Sequence, residues 1–536
     1  MGFISLFPLI LFTILTTAIT TPTTPPLVSP SFISFINSTL AAFHSPGLAI
    51  ALISGNQTWA HGFGHASNLT PITPQTLFSA GSTTKSQIAL GLSLLVDAGQ
   101  LNWTTPVSSV LPDFALADEW ATSHLTVLDL LSHRTGLPRY DVGVLGRTVG
   151  ETMARLRHLR VAAEPRVRWL YSNFMYAVAA RLLGRAGGTE TPGRFLRERV
   201  WVPAGMRRTW LSWLEEGGGE TLAEEYFWNN DTASYEVVPH LDVSGEEGAG
   251  GVISSVEDYV EYLRMMLALA PDGPLSEEGR AAVLGTHMFV APGVVDDGFF
   301  TGPTWYGLGW FGDFVLGELA WHHGGAVGEF RTDMWIFPRQ GKGLVLMQNS
   351  RSPAINVIAY TAIYELLGTP EAERLPWTEI FANTTAQAEI AIQQCPSMHF
   401  PEEVGRPAVA PSWPLAEHVG KYTNPGFVDI DLFLVCNSTS RVSAPDSPAR
   451  PTRDTRTCFL RTNIINTAAG RVAAELEHVN GNKWVAWAYM ADITGYHRPV
   501  TCLKVEFEGE GDVTMANFLL RIDDLSAPSE GFTKVD

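Results

Sequence analysis

The sequence predicts an α+β fold in two parts, and three observations predict it. Strand-like hairpins lie at both ends of residues 30–368, where they can share one sheet. The sequence between them is mostly helical and loop in pattern. After a proline-rich stretch the chain changes to short β-type segments with weak helical periodicity. These shifts divide the chain into a first domain at 30–368, a connecting segment and linker at 369–410, and a β-rich C-terminal domain at 411–536.

Taken in order, Phe3 to Leu15 is an apolar run followed by small residues and a Thr/Pro-rich stretch. It reads as a signal peptide over residues 1–21, hence a secreted protein; a membrane span needs about 20 apolar residues, so none is expected in the mature chain. Leu48 to Ser54 and Thr58 to Phe63 read as strands around a Gly55-Asn56 turn. Ile88, Leu92 and Leu95 recur at helical spacing, and Gly99 ends that helix. Phe330 to Phe337 and Leu344 to Met347 are strands around the Pro338-to-Gly343 turn. Ser352, Pro353 and Gly368 then supply an N-cap, a first-turn proline and a C-terminal glycine for a helix carrying Ile355, Ala359, Ala362 and Leu366. Pro401, Pro407, Pro411 and Pro414 mark the linker, and Phe427 to Val435 and Trp484 to Tyr489 are strands of the last domain.

Composition excludes several classes. The 536 residues are 45% hydrophobic and 10% aromatic, enough for a large core and too apolar for disorder. With 55 acidic against 36 basic side chains the net charge is -19, which repels phosphate backbones; a small molecule or peptide is the expected partner, and no nucleic acid. Nothing in the pattern fixes an oligomeric state. Asn-x-Ser/Thr sequons at Asn37, Asn56, Asn68, Asn102, Asn230, Asn383 and Asn437 exceed chance and suit glycosylation of a secreted eukaryotic chain. The four cysteines, Cys395, Cys436, Cys458 and Cys502, all follow residue 394, and in an oxidising compartment they suggest two disulfides in one of three connectivities. A Cys436 to Cys458 bridge would close the polar loop between them.

The chemistry concentrates at Ser82-Thr83-Thr84-Lys85, at the start of the Ile88 helix. Positions i and i+3 share a helix face, so hydroxyl and amine can meet. The helix start adds free N–H groups where a tetrahedral oxyanion would form, and a lysine in a buried setting can act as base for a serine. Only six lysines occur, and Lys85 alone lies within the first 341 residues, so its place beside Ser82 stands out. Downstream, Tyr171-Ser172-Asn173 offers a phenol to relay a proton and an amide to bind a carbonyl. His323-Gly324-Gly325-Ala326 precedes the Phe330 strand and offers a free N–H beside glycines that admit a ligand.

In this order, Ser82-x-x-Lys85, Tyr171-x-Asn173 and His323-Gly324-Gly325 resemble the three motifs of the serine β-lactamase-like and penicillin-binding-protein-like family, which spans class C β-lactamases, D-aminopeptidases and related esterases. Leu130-Leu131-Ser132-His133-Arg134-Thr135-Gly136-Leu137-Pro138, Gly248-Ala249-Gly250-Gly251 and Tyr306-Gly307-Leu308-Gly309-Trp310 extend the resemblance over about residues 35 to 365. It implies an α/β sandwich, an antiparallel sheet flanked by helices, with the active site between sheet and an inserted helical region. The C-terminal part resembles, more weakly, a small barrel appended to some members. The resemblance casts Ser82 as acylated nucleophile, Lys85 as proton acceptor or orienter, and Tyr171 as second general base. Asn173 would hold the substrate carbonyl or the Lys85 amine, and the N–H groups of Ser82 and Ala326 would form the oxyanion hole. Whether Lys85 or Tyr171 first accepts the serine proton stays open, because the two titrate as a pair.

The third motif departs from the β-lactamase pattern, Lys-Thr-Gly, by placing His323 where a permanent cation grips a β-lactam carboxylate. A histidine with an ordinary pKa near 6.5 is charged mainly in acid, so the expectation shifts from β-lactams to ester or amide hydrolysis. Acyl transfer that tailors a small-molecule metabolite is the alternative within the family, and a non-catalytic binding protein on the same scaffold is the alternative outside it. No ligand spacing supports a metal at His322-His323, and no cofactor motif occurs.

Overall fold

A computed structural model of the chain describes residues 27–140, 148–212, 222–230, 232–270, 273–290, 295–436, 458–467, 470–490, 501–518 and 530–535. The predicted signal peptide and Asn437 lie outside them. The first domain is built on one nine-stranded antiparallel sheet. Its middle is β1 (Gly47–Ser54), β2 (Gln57–Ser67), β3 (Phe311–Val315), β4 (Glu318–Val327), β5 (Phe330–Phe337) and β6 (Lys342–Gln348), in the order β2-β1-β6-β5-β4-β3, with two-residue strands at either edge. The two predicted hairpins therefore do share a sheet: Leu48 to Ser54 pair with Gln348 to Lys342.

Strand periodicity sends alternate residues of β1 into two cores. Ala49, Ala51 and Ile53 join α2 (Thr84–Asp97), whose Ile88, Ala89, Leu92 and Leu95 are buried, on one face. Leu48, Ile50 and Leu52 join α1 (Pro30–Ala42) and Ile355, Ile358 and Ala362 of the helix Ala354–Leu367 on the other. Both faces are covered, which is why β1 and β6 read as nearly continuous apolar runs. The N-cap position is Pro353 rather than the predicted Ser352, whose Oγ accepts from Ala354 N from one residue further out, and Gly368 closes the helix at φ 74.

Three differences from the sequence expectation bear on function. The His323-Gly324-Gly325-Ala326 motif does precede the Phe330 strand, but it is itself part of a strand, β4, that the sequence did not show. The middle of the domain carries further strands and a hairpin, Glu225–Asn229 with Ser234–Val238, beside its helices. The connecting segment contains a 17-residue helix, Trp377–Gln393, whose only buried residue is Trp377.

The C-terminal part is a closed barrel. Strands Gly420–Thr423, Ile430–Val435, Phe459–Thr462, Gly470–Asn480, Lys483–Met490, Thr501–Glu508, Met515–Phe518 and Glu530–Val535 pair antiparallel in a ring, closed where Leu460 and Arg461 meet Leu476 and Glu475. Among the described residues, closure leaves no long unpaired edge. Cys436 bonds Cys458 and Cys395 bonds Cys502, which fixes the connectivity left open above and ties the segment before the linker to a barrel strand. Among the described residues no helix is long and apolar enough to cross a membrane. The six described sequon asparagines, Asn37, Asn56, Asn68, Asn102, Asn230 and Asn383, are all exposed.

Candidate active site

Ser82 sits in a single turn of 3-10 helix, Gly81–Thr83, that leads into α2. Gly81 holds φ +54, and a side chain there would collide with the amide N of Ala326. A side chain at Gly325 would likewise collide with Ala80 O. Both glycines are thus required for the Ser82 turn to lie against β4. Strand β3 pairs with β4 only as far as His322, so residues 323–327 have a neighbouring strand on one side alone and the Ser82 turn on the other.

Three predicted side chains converge here. Lys85, fully buried, donates to Ser82 Oγ at 3.1 Å, to Asn173 Oδ1 at 2.8 Å and to the Ala249 carbonyl at 2.8 Å. An ammonium has three N–H donors, and these contacts can use all three. Tyr171 OH lies 2.8 Å from the same Ser82 Oγ, and Lys85 Nζ stands 4.8 Å from the centroid of its ring. Ser82 itself is half-buried, open to an incoming group. Of the two parts foreseen for Asn173, its carbonyl takes the one of holding the Lys85 amine. Such a set can deprotonate a hydroxyl and return the proton across one shared oxygen.

His323 corrects an expectation. It is buried, with its Nδ1 at 2.7 Å from the Gly324 carbonyl and its Nε2 at 3.1 Å from Tyr306 OH. A carbonyl only accepts, so Nδ1 carries the proton and Nε2 accepts from the phenol. Burial, with the charge of Lys85 nearby, pushes its pKa down to about 3. His323 is therefore neutral at pH 5 as well as at pH 7 and supplies no cation for a substrate carboxylate. Because the unfolded chain takes up a proton near 6.5 that the folded site refuses, folding stability is complete above that value. It is lost as pH falls from 6.5 toward 3, by about 1.4 kcal/mol per pH unit. Denaturant unfolding of His323→Gln between pH 4 and 6.5 should give a shallower acid decline than the parent protein; an identical decline would refute the buried neutral imidazole.

The motifs alone missed several supports. His133, in a left-handed backbone conformation at φ 56, accepts from the amide of Ser172 at Nδ1 and lies 4.4 Å from the Tyr171 ring, so it holds the Tyr171-x-Asn173 segment from behind. Burial and the neighbouring Lys85 charge hold its pKa well below the ordinary value. Tyr306 is wholly buried against His323 and His133, whereas Trp310 is core, stacked on Tyr262. His133 lies within the Leu130-to-Pro138 segment of the resemblance, but the Ala249 carbonyl is a backbone group with no side-chain signature. The described cysteine and histidine ligands that gather within metal-binding reach, Cys395, His399 and Cys502, include both sulfurs of a disulfide.

The sequence matches the β-lactamase family over residues 32–367, well over half of the chain. The chain belongs to the β-lactamase family. An unguisins hydrolase of Aspergillus campestris is 34% identical over 419 residues, covering 75% of this chain and 77% of that protein. Another unguisins hydrolase, of Aspergillus violaceofuscus, is 31% identical across 74% and 75% of the two chains. Among solved structures, the octameric penicillin-binding protein homologue of Pyrococcus abyssi superposes with a TM-score of 0.57 at 20% identity, spanning 94% of this chain and 99% of its own. That span takes in the barrel as well as the β-lactamase-like domain. The D-amino acid amidase of Ochrobactrum anthropi SV3 covers 63% of this chain and all of its own, with a TM-score of 0.52 at 24% identity.

Proposed function

We propose that this β-lactamase-family chain is a secreted serine hydrolase that cleaves an amide or ester of a small molecule or peptide through an acyl-enzyme on Ser82. The observation that carries the reading is the Ser82 hydroxyl oxygen, within hydrogen-bonding reach of both Lys85 Nζ and Tyr171 OH. In the reactive state the Lys85 and Tyr171 pair holds one proton fewer than ammonium plus phenol, so it takes the Ser82 proton as Oγ attacks the carbonyl carbon, and the backbone N–H groups of Ser82 and Ala326 receive the oxyanion. Tyr171 then gives a proton to the departing amine or alcohol as the carbonyl re-forms. Water repeats the cycle on the acyl-enzyme and frees the acid and Ser82.

A neutral His323 favours amides and esters over β-lactams, whose carboxylate would want a cation at that place. The relatives' names, two hydrolases and an amidase, point the same way. Exposure of the described sequons supports passage through a secretory route. The test is mass spectrometry of the full-length protein after a fluorophosphonate probe. One adduct on the peptide that contains Ser82 is expected; labelling elsewhere or nowhere would overturn the assignment.

A further inference from the structure

Between the strands Gly420–Thr423 and Ile430–Val435 the barrel sends out a tight turn, Asn424 to Asp429. Asn424 Oδ1 accepts from Gly426 N at 2.9 Å, and its carbonyl accepts from Phe427 N at 3.0 Å. A side chain at Gly426 would come within 2.7 Å of Leu159 Cδ2, so glycine allows the turn to press on the first domain. Phe427, 4% exposed, lies between Phe532 of the barrel at 5.5 Å and Tyr140 of the first domain at 5.6 Å. Tyr140 is a bulky residue at φ 47, a conformation that persists only where surroundings impose it. They do so here through Phe427 and through its own hydroxyl, which donates to the Arg160 carbonyl at 3.0 Å. The preceding residue, Arg139, sets its guanidinium 5.0 Å from the centroid of the Tyr171 ring.

We infer that the barrel is a working part of the active-site frame, its Gly426-Phe427 turn holding Tyr140 and thereby keeping Arg139 over Tyr171. The inference rests on the proton-transfer part proposed above for Tyr171. A guanidinium over an aromatic face attracts the ring and any negative charge that grows on its oxygen as the phenol gives up its proton. Arg139 and Phe427 act through Tyr171 and are positioning residues.

The test uses full-length protein and the fluorophosphonate probe, reading the limiting rate of Ser82 modification and the probe affinity separately. Arg139→Gln and Phe427→Ala should each slow the limiting rate about tenfold with affinity little changed, the scale of a half-buried cation–π contact. The double variant should be no slower than the slower single one, since the two act along one path. Arg139→Lys and Phe427→Tyr should recover most of the rate. If Phe427→Ala does not fold, Gly426→Ala displaces the same turn by crowding Leu159. Losses that multiply, or a wild-type rate in Phe427→Ala, would overturn the inference alone. Absence of label on Ser82 in the parent protein would overturn the functional reading and this inference with it.

Discussion

Ser82→Ala is expected to reduce turnover of any accepted amide or ester by about 10⁶-fold, the range seen when an acylated serine is removed from a coupled catalytic set. The fold should be indifferent to the change. Ser82 is half-buried, and losing its hydroxyl costs Lys85 one acceptor of three while Asn173 Oδ1 and the Ala249 carbonyl remain. The melting temperature should therefore stay within a few degrees of the parent's, since one net hydrogen bond is worth about 1 kcal/mol. Substrate affinity should persist, because the edge of β4 and the aromatic surround are untouched. Turnover within tenfold of the parent would mean that the chemistry lies elsewhere.

What the sequence made legible follows from what each feature depends on. Ser82 and Lys85 are neighbours by helix geometry, so spacing alone places them. Tyr171 and Asn173 are brought to them by tertiary packing of the helix that begins at Asn173, which the residues themselves do not encode; only the resemblance joined the motifs. Strand β4 was illegible over His322 to Gly325, where two histidines and two glycines lack strand propensity and the pairing with β5 prevails. The helix Trp377–Gln393 escaped because a helix with one buried residue presents no apolar stripe to detect. Closure of the barrel depends on two distant strands meeting at Leu460 and Leu476. The charge state of His323 is set by burial and by Lys85, not by residue type, so the same letter that suggested an acid-dependent cation is, down to about pH 3, a neutral partner of Tyr306 on β4.

Lys85 separates catalysis from stability most sharply, because its charge is spent inside the protein. Lys85→Met keeps nearly the same volume and removes that charge. Turnover should fall by about 10³- to 10⁴-fold, comparable to loss of a general base. The energetic terms then oppose each other. Asn173 Oδ1 and the Ala249 carbonyl lose a donor, at about 1 to 3 kcal/mol for each group left unsatisfied. Against this, the cost of keeping an ammonium out of water disappears. Lys85→Ala loses the same donors and also opens a cavity in a packed site, so it should be the less stable of the two. The second signature is in the pH dependence. The charge on Lys85 helps to hold down the pKa of both His133 and His323. Burial still holds both down, but without that charge both histidines titrate at higher pH, closer to their unfolded values, and the loss of stability between pH 6.5 and 3 becomes smaller. Unfolding measured at pH 3 and 7.5 should give a smaller difference for Lys85→Met than for the parent, alongside the collapse in turnover. Turnover within tenfold of the parent, or an undiminished pH difference, would remove Lys85 from the centre of the site.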